Sequence, residues 1–111
     1  MSISKKIPGK VNVNAEAEVA GGERYILKLF VTGILANSAR AVINIKTICE
    51  EYLEGRYELE IIDIYQQPDL AITEDIVAIP MLIKKFPLPE ARLMGDLSDT
   101  EKVLQGLHLL N

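Results

Sequence analysis

The chain has 111 residues, 49% hydrophobic and 25% charged, with a formal net charge of −4. This length suits one domain with one core, and the acidic balance argues against nucleic acid, whose binding proteins usually carry a clustered basic face. No apolar run approaches the roughly 20 residues that span a bilayer, and no secretory signal opens the sequence, so we expect a cytoplasmic protein without a membrane partner. One cysteine and one histidine exclude a CxxC redox pair and give no spacing that indicates a metal or cofactor site.

Residues 1–23 have no sustained hydrophobic period and are interrupted by glycine and proline. We therefore predict a flexible N-terminal extension, followed by one folded domain at residues 24–111. Within the extension, "VNV" and "AEAEV" alternate as strands do, which leaves open that this segment pairs with a neighbour.

The first half of the domain predicts a strand, a helix and a second strand. "YILKLFV" is apolar except at Lys28, as in a central strand covered on both faces. Asn37 or Ser38 is placed to cap the helix that follows, and Gly55 to end it. The buried face of this helix is predicted at Ala41, Val42, Ile45, Ile48, Cys49 and Tyr52. "YELEIIDI" then alternates as a strand with one partly solvated edge, parallel to the first strand in a right-handed βαβ unit.

The second half predicts two further strands between two helices. "QQPDLAITEDIVA" indicates a helix with Pro68 in its first turn, and "PMLIKKF" and "ARLMG" indicate strands joined by "PLPE". In "SDTEKVLQGLHLL", Ser98 and Glu101 have the spacing of a capping box. The apolar face of this last helix is predicted at Val103, Leu104, Leu107 and Leu110. The order β-α-β-α-β-β-α is that of the thioredoxin-like α/β fold.

Short motifs along residues 24–111 carry a family resemblance. They are a strand ending in "KLFVTG", "NSARA" at the start of the helix, "IDI" followed by "PDLA", and then "IVAIPML", "GDLS" and "VLQGLHLL". Together they resemble the KaiB family of small circadian-clock proteins. The resemblance implies a protein that is not an enzyme and acts by binding other proteins.

The resemblance also implies partners and two folds. Family members bind a RecA-like ATPase ring, the clock component KaiC, on a surface that competes with a clock-linked histidine kinase. Their ground state, usually a tetramer, has the order βαββααβ, and the rarer thioredoxin-like state βαβαββα binds the ATPase. For this chain we accordingly expect a homo-oligomer, tetramer or dimer, and a fold switch that controls binding.

Matched position by position, the family's partner-binding residues fall at Glu58, Glu60, Asp75, Gly106 and His108. Cyanobacterial members tend to have a small residue and lysines at the first three of these positions and aspartate at the last. Acidic residues at the first three reverse the charge of the surface, which changes partner choice. We therefore expect a co-adapted KaiC-like ATPase, and stress or timing control outside a true circadian clock.

The residues of the second half are compatible with more than one fold. Gly106 lowers helix stability by about 1 kcal/mol relative to alanine, and "VLQGLHLL" is apolar enough to form a buried strand. Pro80, Pro87 and Pro89 are candidates for slow steps in a fold switch, because X–Pro bonds isomerise slowly. The alternative is that two of these prolines only stiffen a hairpin turn.

Further polar residues carry weaker expectations. Arg40, Lys84, Lys85 and Arg92 are candidates for ion pairs across an oligomer interface, although such charges are usually solvated at the surface. Asp63 is predicted at the carboxyl end of a parallel strand, where ligands often approach, but no second acid or base accompanies it.

Two alternatives to the adaptor remain. A thioredoxin-like thiol oxidoreductase is disfavoured because Cys49 is alone and is predicted in the core. A sensory or oligomerisation domain, like the one at the front of a clock-linked histidine kinase, is the other. His108 is predicted as a surface or interface residue in either case.

Overall fold

Residues 23–109, which the computed structural model describes, follow the predicted order β-α-β-α-β-β-α. The elements are β1 (Tyr25–Val31), α1 (Ala36–Tyr52), β2 (Tyr57–Asp63), α2 (Pro68–Thr73), β3 (Met81–Phe86), β4 (Ala91–Met94) and α3 (Thr100–Gly106). The predictions of a flexible extension, of strand pairing by "VNV" or "AEAEV", and of a buried Leu110 lie outside the described residues.

The strands of this part of the chain form one sheet in the order β2-β1-β3-β4. β1 runs parallel to β2, in register from Tyr25 opposite Tyr57 to Val31 opposite Asp63. β3 is antiparallel to β1 and to β4. β1 thus has a neighbour on each side, which is the position that its apolar sequence predicts.

The sheet is covered on both faces by helices. One face carries α1 and α3 over the larger core cluster, which includes Leu27, Leu29, Ala41, Ile45, Cys49, Leu82, Leu104 and Leu107. The other face carries α2 over a smaller cluster made by Phe30, Ile62, Met81 and Ile83. The predicted buried face of α1 is confirmed at Ala41, Ile45, Ile48 and Cys49. Val42 is half-buried, and Tyr52 is 44% exposed while the adjacent Leu53 is fully buried.

The start of α1 differs from the prediction. Its N-cap residue is Leu35, and no described side chain caps the helix. Asn37 and Ser38 already lie inside the first turn. Ser38 is buried, and its Oγ accepts a hydrogen bond of 3.2 Å from the backbone N–H of Thr32. The predicted cap is therefore wrong, because the hydroxyl ties the helix back to the end of β1 instead.

α2 is shorter than its sequence pattern indicates. Pro68 lies in its first turn, as predicted, but the helix begins only at Pro68 and ends at Thr73. Two residues later Asp75 has a φ of 57°, which stops the helix. Arg92 of β4 reaches the same end, where its Nη2 donates to the carbonyl of Glu74 at 2.6 Å. Residues 74–80 then lead back to β3 in irregular conformation.

α3 begins and ends at other residues than predicted. Asp99 is its N-cap, and the Asp99 carboxylate accepts from the N–H of Lys102 at 3.2 Å. The capping box of Ser98 and Glu101 is therefore wrong. The helix ends at Gly106, so this glycine is its last residue and does not interrupt it.

Candidate functional site

Part of the α2 face of the sheet is left uncovered beside β2. The register places Ile26 of β1 beside Glu58, and Lys28 beside Glu60. Both glutamates are exposed, and Ile26 and Lys28 are half-buried. We call these four residues the open sheet face. It combines one apolar side chain, Ile26, and the cation of Lys28 with two carboxylates at its edge, so a protein partner would meet both apolar and charged groups there.

The carboxylates at the edge of this face form only a weak ion pair within the chain. Glu58 pairs with Arg24 at 3.4 Å, but both side chains are about half exposed, and such pairs contribute little to stability. β2 is the outer strand of the sheet in the described part of the chain. Glu58 therefore remains available to a basic surface, and Glu60 is exposed beside Lys28.

Asp75 lies on the same side of the sheet, at the end of α2. Its backbone carbonyl accepts from Arg92 Nη1 at 3.2 Å. The neighbouring Glu74 accepts from Lys85 Nζ at 3.1 and 3.2 Å, and Lys85 also pairs with Glu90 at 3.4 Å. The hydrogen bond that Lys85 donates to the Glu74 carboxylate raises the pKa of Lys85. Lys85 and Arg92, expected at an oligomer interface or in solvent, thus form an ion-pair network within the chain that fixes the end of α2.

Gly106 and His108 lie on the opposite face of the sheet, where α3 packs. A Cβ at Gly106 would lie 2.5 Å from Leu93 Cδ2, so the glycine allows α3 to approach β4 closely. His108 is exposed, with a φ of 62°, and its Nδ1 lies 3.0 Å from Lys84 Nζ. The structure therefore brings Glu58, Glu60 and Asp75 to one face and separates Gly106 and His108 from them.

Lys84 is placed differently from what its sequence suggests. It is 1% exposed, on the face of β3 that packs under α3, and is not available at the surface of this fold. Leu82, two residues earlier in the same strand, also faces inward. Because side chains alternate between the two faces of a strand, this spacing indicates an inward position for Lys84. Arg40 remains at the surface, where its Nε pairs with Asp96 Oδ2 at 3.1 Å.

The three candidate prolines flank β3. Pro80 is buried directly before the strand, and its carbonyl accepts from the N–H of Gly95 at 3.0 Å. Pro87 and Pro89 lie in the turn between β3 and β4, and all three prolines follow cis peptide bonds. The position of Pro80 at the start of the third strand is as predicted.

The junction between β1 and α1 is built from turns. Asp63 Oδ1 accepts from the N–H of Tyr65 at 2.9 Å, and a Cβ at Gly33 would lie 3.3 Å from Asp63 Oδ2. The carboxylate thus organises the turn after β2. The buried hydroxyl of Thr32 has no hydrogen-bond partner among the described residues. Within residues 23–109, no three His, Cys, Asp or Glu side chains cluster as metal ligands would. No helix in that range is long and apolar enough to cross a membrane.

The family model for the KaiB domain matches residues 28–109. The chain belongs to the KaiB family. It is 51% identical over 86 residues to the circadian clock oscillator protein KaiB of Synechococcus elongatus, covering 78% of this chain and 84% of that relative. It is 46% identical over 87 residues to the circadian clock protein KaiB3 of Synechocystis, covering 78% and 85%. The expected family is confirmed.

Solved structures confirm the thioredoxin-like fold. The N-terminal domain of Synechococcus elongatus SasA is 25% identical, with a TM-score of 0.64, and the match covers 97% of this chain and 96% of that domain. The thioredoxin Deadhead of Drosophila melanogaster gives a TM-score of 0.65 at 14% identity, covering 86% and 90%. The second similarity concerns the fold alone.

Proposed function

We propose that this chain is a non-catalytic regulatory adaptor that binds a KaiC-like RecA-type ATPase in the cytoplasm. The observation that carries the proposal is the 51% identity to the circadian clock oscillator protein KaiB of Synechococcus elongatus. Cys49 supports the absence of thiol chemistry, because it is fully buried. Binding is to protein, not to nucleic acid or membrane, and the output is timing or stress regulation.

The open sheet face is the surface that we assign to this partner. Its exposed carboxylates, Glu58 and Glu60, favour basic groups on the partner, while Arg24 and Lys28 offset part of their charge. Asp75 lies on the same side and extends the acidic character to the end of α2. A charge pattern of this kind accelerates association with a basic partner and repels an acidic one.

Charge reversal tests the assignment. Glu58→Lys combined with Glu60→Lys should weaken binding to the KaiC-like ATPase of the same organism by about tenfold, equivalent to about 1.4 kcal/mol. The matched control is Glu51→Lys with Glu54→Lys, which makes the same charge change at exposed positions at the end of α1 and in the turn after it. Binding is measured by biolayer interferometry with ATP and with ADP, at low and high salt.

The outcomes separate the partner from the surface. Equal weakening by both double variants would reject the open sheet face while leaving the partner in place. Absence of any complex with the unaltered chain, at every nucleotide state and temperature, would reject the ATPase itself.

The adaptor is proposed to exchange between this thioredoxin-like fold and a tetrameric βαββααβ ground state. The helices of the second half support this, because α2 has six residues and α3 has seven. Helices shorter than about 12 residues are marginal on their own and depend on packing. Both are therefore elements that a competing arrangement displaces at low cost.

A domain of the kind found at the front of a clock-linked histidine kinase is the second candidate. The likeness to the N-terminal domain of SasA supports it. Such a domain and an adaptor make different predictions in competition. An adaptor displaces the kinase domain from the ATPase, whereas a sensory or oligomerisation domain self-associates and leaves that complex intact.

A further inference from the structure

The amine of Lys84 is enclosed between the sheet and the end of α3. In the register Lys84 lies between Leu27 of β1 and Ala91 of β4. It is 1% exposed, and its Nζ lies 3.0 Å from His108 Nδ1. Within the described part of the chain, no carboxylate forms an ion pair with this amine, in contrast to Lys85 beside it.

The charge of Lys84 decides the state of the imidazole in this contact. When Lys84 is an ammonium group, it has three donors and no acceptor, so it donates to the lone pair of Nδ1. His108 is then neutral and carries its proton on Nε2. A second proton on the ring removes the acceptor and sets two cations 3.0 Å apart. Even at the dielectric constant of water, that repulsion is worth roughly tenfold in an equilibrium constant.

The contact lies where α3 is attached to the sheet. Leu107, directly before His108, is fully buried, and its carbonyl accepts from the hydroxyl of Tyr25 at 2.9 Å. The N–H of Leu109 donates to the carbonyl of Leu104 at 2.8 Å. Tyr25 and Lys84 therefore hold the same short segment from neighbouring strands.

We propose that Lys84 and His108 form a proton-sensitive latch, which holds the end of α3 on the sheet while the imidazole is neutral and releases it when the imidazole is protonated. The proposal needs only the described fold and does not rest on any partner. Acidification is expected to loosen residues 107–109 before it affects the sheet.

Other charged and titratable groups lie around this contact, and the latch concerns the range between pH 5 and 8. Burial lowers the pKa of Lys84, and the negative charge of Glu23 opposes that change. Burial raises the pKa of Tyr25. Arg56 lies 5.6 Å from the centre of the Tyr25 ring, and a guanidinium stays charged throughout this range. Histidine is the side chain that ordinarily titrates there.

Nitrogen NMR of the unaltered protein tests the resting state. His108 is the only histidine in the chain, so its ring signals need no assignment. At pH 7.5 we expect the tautomer protonated on Nε2. A ring protonated on Nδ1 at that pH would overturn the proposal, because Lys84 would then have no acceptor there.

Hydrogen exchange tests the release. Protection factors of the Leu107 and Leu109 amides, which correct for the intrinsic effect of pH, are compared at pH 7.5 and 5.5. In the unaltered chain they should fall about tenfold. His108→Asn tolerates the positive φ and does not titrate, and Lys84→Met removes the amine at similar length. Both variants should lose the pH dependence.

The amide of Leu29 in β1 is the internal reference, and it should change equally in all three proteins. An equal fall at Leu107 and Leu109 in the unaltered chain and in His108→Asn would refute the latch. If Lys84→Met does not fold, the proposal is tested by the hydrogen-exchange comparison between the unaltered chain and His108→Asn, together with the His108 tautomer from nitrogen NMR.

Discussion

Cys49 shows how position alone sets the chemistry of a side chain in this protein. It lies fully buried in the larger core cluster, beneath α1. Burial, with a smaller contribution from Glu50, raises the pKa of its thiol to about 12. Because the thiolate is the reactive form, the thiol is inert at neutral pH. Its role is to fill the core.

This pKa predicts how stability depends on alkaline pH. The thiol of the unfolded chain ionises above its ordinary pKa of 9.0, while that of the folded chain stays protonated until about 12. The protonated thiol contributes its full stabilisation of the folded state below pH 9. Above pH 9 the free energy of unfolding falls by up to about 1.4 kcal/mol per pH unit. Urea unfolding from pH 8 to 10.5 should show a stability difference between the unaltered chain and Cys49→Ala that changes at this rate. The contribution of Tyr25 cancels because Tyr25 is present in both proteins, and making the comparison in a Tyr57→Phe background removes the Coulomb coupling between Tyr57 and Cys49. A constant difference would contradict the prediction.

At the scale of single elements, the ends of the helices depend on individual polar groups. The start of α3 is the clearest case. Asp99→Ala removes the carboxylate that accepts from the N–H of Lys102, and should lower the free energy of unfolding by about 1 kcal/mol. Ser98→Ala is the matched control and should have a smaller effect, because Ser98 is not the cap and its hydroxyl makes only a surface hydrogen bond to Asp96. Denaturant unfolding of the two variants checks this. A larger loss for Ser98→Ala would show that the capping box forms in solution.

The sequence predicted the elements better than their ends. Hydrophobic period is a property of many residues together, so the order of strands and helices and the central place of β1 followed from it. A cap is decided by one residue. Ser98 and Asp99 are both good caps, and the choice depends on how the chain leaves β4. α2 is shorter than predicted because Asp75 takes a left-handed conformation, and nothing in the sequence "TEDIVA" indicates that conformation.

The candidate site was predicted less completely than the fold. The family resemblance proposed Glu58, Glu60 and Asp75 as partner-binding residues, and the structure places them on one face. The resemblance also proposed Gly106 and His108, but it did not indicate that they lie on the opposite face of the sheet. The contact between Lys84 and His108 joins residues 24 positions apart. No local pattern encodes such a contact, because it depends on how α3 returns to the sheet.

At the scale of the whole molecule, the two halves differ in how they are built. The first half has α1, with 17 residues, between two strands of seven residues. The second half relies on short helices, a four-residue strand and the network of Glu74 with Lys85 and Arg92. Local opening is therefore expected to concentrate in the second half.

This asymmetry predicts the outcome of an NMR experiment on fold switching. Free protein should give two sets of amide resonances, with the largest differences at residues 64–109, and light scattering should show a tetramer beside a smaller species. Addition of the KaiC-like ATPase should leave the thioredoxin-like set. One unchanged set of resonances in free and bound protein would rule out the switch.

The missing side chain at Gly106 ties its evolution to that of a second position. Leu93 of β4 occupies the space that a Cβ at Gly106 would need. Such a Cβ would lie within 3.1 Å of three atoms of the Leu93 side chain. A larger residue at 106 is therefore tolerated only if residue 93 moves or becomes smaller. Substitutions at positions 93 and 106 should therefore be correlated among relatives. A substitution at one position should be neutral where the other residue leaves room for it and harmful where it does not.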